Sequence, residues 1–343
     1  MYKFIRSLLF CFPPEQIHST TMGLLRVLHY IPLAEPLIRG FFNYNNTKLE
    51  RELFGIKFKN PVGLAAGFDK NGNAYNEIAN FGFGFIEIGS LTPKPQGGNP
   101  KPRCFRLPKD KAIINRMGIN NKGVEYAAAQ LKKKHPKCVI GGNLSKNATT
   151  SNEDAAEDYQ TSFAALYNYA DYFTINVSCP NVKNLDKLQD IDNLSQIAER
   201  LLAIRASKEK YRPILLKLSP DIPYNRLDSI IELVTEKGLD GVIATNTTRS
   251  REGLKSTDEL IEKIGEGGLS GAPLFNRSLK FVKHIHDKTE GRLPIIAAGG
   301  IMSPQDALKM LNAGASLIQV YTGFVYNGPS FVKKINRFLS KNI

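Results

Sequence analysis

Only four cysteines occur among the 343 residues, Cys11, Cys104, Cys138 and Cys179, and no two of them form a C-x-x-C pair. None lies beside a histidine at ligand spacing, which argues against zinc and iron–sulfur centres. Scattered thiols in a chain of this length fit a reducing, cytosolic compartment better than a disulfide framework. Long apolar runs are also missing, and nothing approaches the roughly 20 residues needed to span a bilayer. The apolar stretch at residues 7–12 is short, Pro13 and Pro14 follow it, and no small-residue cleavage site appears. The segment is therefore expected to be retained rather than removed as a signal peptide. Acidic residues are outnumbered, 32 against 46 basic ones, for a net charge of +14. Such an excess attracts an anionic partner, whether nucleic acid, an acidic membrane face, or a phosphorylated or carboxylate ligand. A solvated basic surface with no partner is the plainer reading.

What is present is an ordinary globular balance, 42% hydrophobic and 23% charged, enough for a large core. Eight short apolar runs organise it: residues 61–67 (PVGLAAG), 85–90 (FIEIGS), 139–145 (VIGGNLS), 172–178 (YFTINVS), 213–219 (PILLKLS), 241–247 (GVIATNT), 294–300 (PIIAAGG) and 317–323 (LIQVYTG). Continuous apolar character, without alternation, marks strands buried on both faces, as a parallel sheet requires. Helical patterns lie between several of them, at 155–170, 193–208, 224–237, 278–288 and 304–313. Eight strand–helix units spaced about 37 residues apart match the ~250-residue (β/α)₈ TIM barrel, so the expected fold class is α/β. A doubly wound open sheet is disfavoured, because no G-x-G-x-x-G turn follows the first run. Two connections, 91–137 and 248–292, are too long for simple crossovers and read as functional excursions.

Residues 1–45 read as a separate helical extension preceding a barrel domain at 46–343. Phe4, Ile5, Leu8, Leu9 and Phe12 fall at helical spacing, and Ile17, Met22, Leu24, Leu25 and Leu28 supply a second apolar surface. Two amphipathic helices with basic flanks suit a membrane interface. A helical hairpin burying the same stripe against the barrel's end is the alternative.

In such barrels the working groups sit where the strands end. The ends here carry Phe68, Asp69 and Lys70, then Ser90, Asn143, Asn176, Cys179, Lys217, Thr245 and Asn246, with Gly300 and Tyr321 closing the circuit. Amides and lysines dominate, and carboxylates are scarce. That excludes two-carboxylate glycoside hydrolysis and acidic Mg²⁺ sites. Asparagine offers a donor and an acceptor together, the complement of a pyrimidine or isoalloxazine edge. Gly-Gly after the seventh run and Thr-Gly after the eighth stand where barrels bind phosphate, although Gly-Gly alone is common in turns. Phosphate plus a lysine beside a flat ring suggests FMN, with Lys217 balancing charge on the reduced flavin.

The blocks GLAAGFDKNG, GFGFIEIGSLTPKPQGGNPKPRCFRL, INRMGINNKG, INVSCPN, GVIATNTT, GGLSGAPL and AAGGI…YTGF, in this order, resemble the dihydroorotate dehydrogenases. The similarity runs from about residue 15 to the end, and the amphipathic leader resembles that of the membrane-associated, quinone-reducing branch. The resemblance implies oxidation of dihydroorotate to orotate in pyrimidine synthesis, FMN as cofactor and a membrane quinone as acceptor. It implies FMN contacts at Ala66, Gly67, Phe68, Asp69, Lys70, Ser90, Asn143, Asn176, Lys217, Thr245, Gly271, Gly300, Tyr321 and Thr322. Substrate contacts are implied at Lys70, Asn115, Arg116, Met117, Gly118, Ile119, Asn176, Asn181, Asn246 and Thr247. His18, Arg106 and Tyr321 match positions lining a quinone tunnel; without the resemblance, His18 and Arg106 read as surface residues. Cys179 matches the position of the catalytic base, where the quinone-linked branch usually carries serine and the soluble branch cysteine. An isolated buried cysteine ordinarily reads as a small core residue, but at a strand end flanked by Asn176, Pro180 and Asn181 that reading gives way.

These readings together imply a peripheral enzyme on the cytoplasmic face of the inner membrane. It is expected to meet an anionic membrane surface, with no nucleic acid and no obligate protein partner. Alternatives are a soluble relative using fumarate or NAD, a flavin-dependent tRNA dihydrouridine synthase, and a non-enzymatic scaffold on an inactive barrel. The second lacks an evident RNA-binding domain after the eighth run.

Overall fold

The computed structural model describes residues 2–28, 30–178 and 190–343. All eight apolar runs form strands: β1 (Val62–Leu64), β2 (Phe85–Leu91), β3 (Val139–Leu144), β4 (Tyr172–Asn176), β5 (Ile214–Leu218), β6 (Gly241–Ala244), β7 (Ile295–Ala298) and β8 (Leu317–Val320). Each pairs in parallel with its sequence neighbour, and β8 returns to β1 with Ile318 opposite Val62, so the barrel is closed. Most strands stop a few residues before the runs do. The small and polar residues at the run ends leave the ladder, and their backbone bonds turn to other loops, as when Gly67 N donates to Gly89 O at 2.7 Å.

The five expected helices are present. Four of their boundaries shift by a few residues, as at Phe275–Thr289, while Tyr224–Lys237 falls where its pattern placed it. Pro304–Asn312 begins on a Ser303 cap whose Oγ accepts from Asp306 N at 3.1 Å. Apolar helix faces and outward strand residues make one continuous core around the barrel.

Inside, side chains alternate by the strand period of two. Phe85, Tyr172, Leu215, Ile243, Ile296 and Leu317 fill the amino-terminal end of the barrel. Gly63 and Gly141 face this layer. A Cβ at either would fall 2.3 Å from the Phe85 ring or 2.2 Å from the Tyr172 ring, so glycine makes room for the aromatics. A hairpin absent from the sequence reading, Arg51–Leu53 with Ile56–Phe58, seals this end with Phe58. Two residues further along the strands the interior turns polar, with Glu87, Asn143, Thr174, Lys217 and Gln319 all buried.

The two long excursions meet one another. Cys104–Leu107, Ala112–Asn115 and Gly268–Gly271 form a three-stranded antiparallel sheet, uniting segments about 150 residues apart in sequence.

Ahead of the barrel stand three helices, α1 (Tyr2–Phe10), α2 (Pro14–Leu28) and α3 (Ala34–Phe42), where the sequence pattern suggests two. Met22, Leu25, Ile38 and Phe42 pack on the core. Polar ties pin the same face: Tyr2 Oη donates to Val325 O at 2.7 Å, and Arg103 grips Glu15 at 2.6 Å. The outward face stays apolar, with Phe4 81%, Leu33 73% and Phe41 70% exposed. The helices therefore pack on the barrel, as the hairpin reading has it, while leaving apolar surface exposed, as the interfacial reading has it. No helix among the described residues is long and apolar enough to cross a membrane.

Candidate active site

A single cavity of about 450 Å³ runs from between the leader helices to the carboxyl ends of the barrel strands. At the barrel end its walls come from Ala66, Gly67, Phe68, Lys70, Ser90, Asn176, Lys217, Thr245, Gly271, Gly300, Tyr321 and Thr322, all expected cofactor positions. Asn115, Met117, Gly118, Ile119, Asn246 and Thr247 of the expected substrate set line it as well. His18, Arg106 and Tyr321 face the same space, nearer the leader.

Three expected positions are placed differently. Asp69 is buried behind the wall, where its carboxylate accepts from Asn73 N and Ala74 N, each at 2.8 Å. Burial pushes its carboxyl above the ordinary range, and those backbone bonds oppose the rise. Its role is to shape the turn that carries Lys70, whose Nζ donates to Gly67 O at 2.8 Å. Asn143 sits one hydrogen bond behind Ser90. Arg116 turns outward, donating to Ile264 O and to Glu266 O at 3.1 Å, with its guanidinium 4.6 Å over the Phe105 ring. Cys179 and Asn181 lie outside the described residues.

The strand-end amides are joined in a chain. Asn143 Nδ2 donates to Glu87 Oε1 at 2.7 Å, and Ser90 Oγ donates to Asn143 Oδ1. Asn176 Nδ2 donates to Ser90 Oγ at 2.8 Å, and Asn246 Nδ2 to Asn176 Oδ1 at 3.3 Å. Ser178 joins the end of the chain, donating to Asn176 Oδ1 at 3.2 Å and accepting from Asn246 Nδ2 at 2.9 Å. Glu87 and Gln319 were missed in the sequence reading. Their signal was a lone polar residue inside an apolar strand run, FIEIG and LIQV.

The residues present fit a phosphorylated flat heterocycle. Gly271 and Gly300 hold positive φ, +101° and +76°, and a Cβ at Gly300 would meet the Phe275 backbone at 2.4 Å. Only glycine admits both the conformation and the close approach at these phosphate-type corners. Thr322 Oγ1 lies 2.8 Å from Ser270 Oγ beside them. Gln319 Oε1 and Asn120 Oδ1 are buried acceptors without a partner among the described residues, on side chains that line the cavity, as a ligand N–H would require. Lys217 supplies positive charge to the same wall.

Toward the leader the walls turn apolar, with Leu9, Phe10, Ile17, Leu25 and Phe324. Arg106 crosses this zone, donating to Phe12 O at 2.7 Å with its guanidinium 4.5 Å over Phe10. His18 meets Phe68 edge-on at 5.0 Å. Burial, then the nearby Lys70 charge, lowers its imidazole from the ordinary 6.5 to about 4, so it is neutral at pH 7. Between those two values the unfolded chain binds more protons than the folded one. Docking of the leader is therefore at full strength above pH 6.5 and weakens as pH falls toward 4. Limited proteolysis of the leader should accelerate across that window, and His18→Gln should flatten the rise; an equal acceleration in the variant would assign it to other groups.

Comparison with known proteins agrees with this architecture. The dihydroorotate dehydrogenase family model matches residues 48–343. A dihydroorotate dehydrogenase (quinone) of Christiangramia forsetii is 51% identical over 338 residues, covering 98% of each chain. One from Coxiella burnetii is 43% identical over 99% of this chain and 97% of its own. Crystal structures of DHODH from Eimeria tenella superpose with 36% identity over 96% of this chain. The ferulenol complex gives a TM-score of 0.85 over 91% of its own length, and the ligand-free form 0.87 over 94%. A closed eight-stranded barrel, an amide-lined cavity at its strand ends and near full-length similarity lead to one assignment: the chain belongs to the dihydroorotate dehydrogenase family.

Proposed function

We propose that this protein oxidises dihydroorotate to orotate with bound FMN and delivers the electrons to a membrane quinone. The observation that carries this reading is the single cavity joining two unlike ends. The amide and lysine end suits a charged pyrimidine beside a flavin, and the apolar leader end suits a hydrophobic acceptor. FMN, when bound, accepts hydride from the substrate and passes electrons onward.

The chain's own residues do the rest. Ala66, Gly67, Ser90, Thr245, Gly271, Gly300 and Thr322 would hold the flavin, and Lys217 would offset negative charge that gathers on it. Asn115, Asn176, Asn181, Asn246 and Thr247 would orient the pyrimidine, with Lys70 drawing its carboxylate. Cys179 is the proposed base, taking one proton from the substrate carbon next to the one that loses hydride. Arg106, His18 and Tyr321 would receive the quinone head, and a neutral His18 can donate or accept a hydrogen bond there without carrying charge.

We assign residues 1–45 to membrane association and residues 46–343 to catalysis. The exposed Phe4, Leu8, Leu24, Leu33, Leu37 and Phe41, flanked by Lys3 and Arg26, form an amphipathic surface of the kind that rests in a headgroup layer. That surface and the excess positive charge support peripheral attachment to an anionic leaflet, which we assign to the cytoplasmic face of the inner membrane. A fumarate- or NAD-linked enzyme would have no use for an apolar cavity arm walled by these helices. The purified protein should carry FMN and lose its yellow colour when mixed with equimolar dihydroorotate without oxygen. A colourless protein, or a flavin that dihydroorotate leaves oxidised, would overturn the proposal.

A further inference from the structure

Glu87 is fully buried in the barrel, and four groups direct donors at its carboxylate. Asn143 Nδ2 and Gln319 Nε2 approach at 2.7 and 2.8 Å, Tyr172 Oη and Thr174 Oγ1 at 3.1 and 3.2 Å. Burial beside this carboxylate pushes the Tyr172 phenol well above its ordinary value, which keeps its proton available to donate. Lys217 Nζ lies 3.8 Å away. A carboxylate in such a shell costs stability unless it is matched, and hydrophobic barrels do without one.

The hydrogen-bond chain gives it a use. A carboxylate only accepts, so the Asn143 amide must present its nitrogen to Glu87 and its oxygen to Ser90. Ser90 must then donate to Asn143, which leaves its oxygen to accept from Asn176. Asn176 in turn must show its oxygen to Asn246 and Ser178. Every amide sense follows from the root, and networks of this kind are felt along their whole length.

We propose that Glu87 is a positioning residue: its carboxylate fixes the donor–acceptor sense of the amides that meet the pyrimidine and steadies the Lys217 ammonium beside the flavin. This rests on the reading of the activity given above and names what aligns that site. Glu87→Gln is nearly the same shape but brings a donor to the root, so Asn143 and the amides beyond it can turn over. E87Q/N143D moves the carboxylate one step along the chain, where it still accepts from Ser90 and restores the sense downstream.

The test is orotate affinity for the oxidised holoenzymes, read from the change in the flavin visible spectrum, alongside KM and kcat. E87Q should bind orotate about 10–100-fold more weakly than the parent, the loss expected when buried polar groups are mispaired. The exchange variant should recover most of that loss and remain within about fivefold of the parent. It keeps one carboxylate in the cluster, so it stands as a test by itself if E87Q does not fold. Parent-like orotate affinity in E87Q, or an exchange variant as weak as E87Q, would overturn the role given to Glu87. A parent enzyme that shows no orotate response would instead remove the activity reading on which it rests.

Discussion

Replacing Cys179 with alanine is expected to lower dihydroorotate oxidation by about 10²–10⁴-fold, the range associated with removing a general base. FMN content and orotate affinity should stay near those of the parent, because the proposed flavin and pyrimidine contacts come from other side chains. Anaerobic stopped-flow would place the loss in flavin reduction, leaving reoxidation by quinone unchanged. Cys179→Ser should retain part of the rate with its pH profile displaced upward. A free thiol ionises near 8.5, whereas a hydroxyl needs far more help to lose its proton. Near-normal turnover in the alanine variant would remove the base assignment, and an unshifted profile in the serine variant would show that another group governs the titration. Residue 178, at the end of the amide chain, gives the proposal its context: Ser178 is tied to Asn176 and Asn246, both of which line the cavity or contact its lining.

The second large effect concerns the leader. Shortening the chain to begin after residue 42 removes Leu9, Phe10, Ile17, His18 and Leu25 from the cavity wall, and Arg106 loses its bond to Phe12 O. Reoxidation by a hydrophobic quinone is expected to fall by at least about 10²-fold, the scale of losing a positioned encounter. Flavin reduction by dihydroorotate should change by less than about fivefold, because the residues proposed to hold the pyrimidine come from the barrel and its excursions. The truncated barrel exposes the apolar surface on which Met22, Leu25, Ile38 and Phe42 rest, so His18→Ala in the intact chain provides the gentler companion variant. Equal losses in both half-reactions would mean that the leader supports the whole fold rather than one end of the cavity.

Much of this was legible in the sequence because parallel strands are buried on both faces. Runs such as PILLKLS and PIIAAGG have no other comfortable place in a globular protein of this length. The barrel's sealing hairpin at Arg51–Leu53 and Ile56–Phe58 was not legible, since three-residue strands carry too little pattern. Nor was the sheet joining Ala112–Asn115 to Gly268–Gly271, a pairing across 150-odd residues that local spacing cannot reveal. α3 escaped for another reason: its nine residues include Pro36 and Gly40, which ordinarily punctuate a helix.

At the site, strand ends identified the lining, but direction was invisible. Arg116 and Met117 are neighbours in one motif, yet the first turns outward to backbone carbonyls while the second faces the cavity. Asp69 and Asn143 stand behind the wall for a related reason: Asp69 accepts from Asn73 and Ala74 in the turn that follows Lys70, and Asn143 accepts from Ser90, which faces the cavity. Glu87 shows the opposite failure. Its position inside an apolar strand is unusual enough to flag, but its partners lie on four other strands and only the closed barrel brings them together.

The central claim is that electrons enter at the amide end of one cavity and leave at its apolar end. The most direct measurement reduces the holoenzyme anaerobically with one equivalent of dihydroorotate and then adds a quinone, fumarate or NAD in parallel, following the flavin spectrum. The account predicts rapid return of the oxidised spectrum with quinone alone. Recovery with fumarate or NAD while quinone leaves the flavin reduced would contradict it.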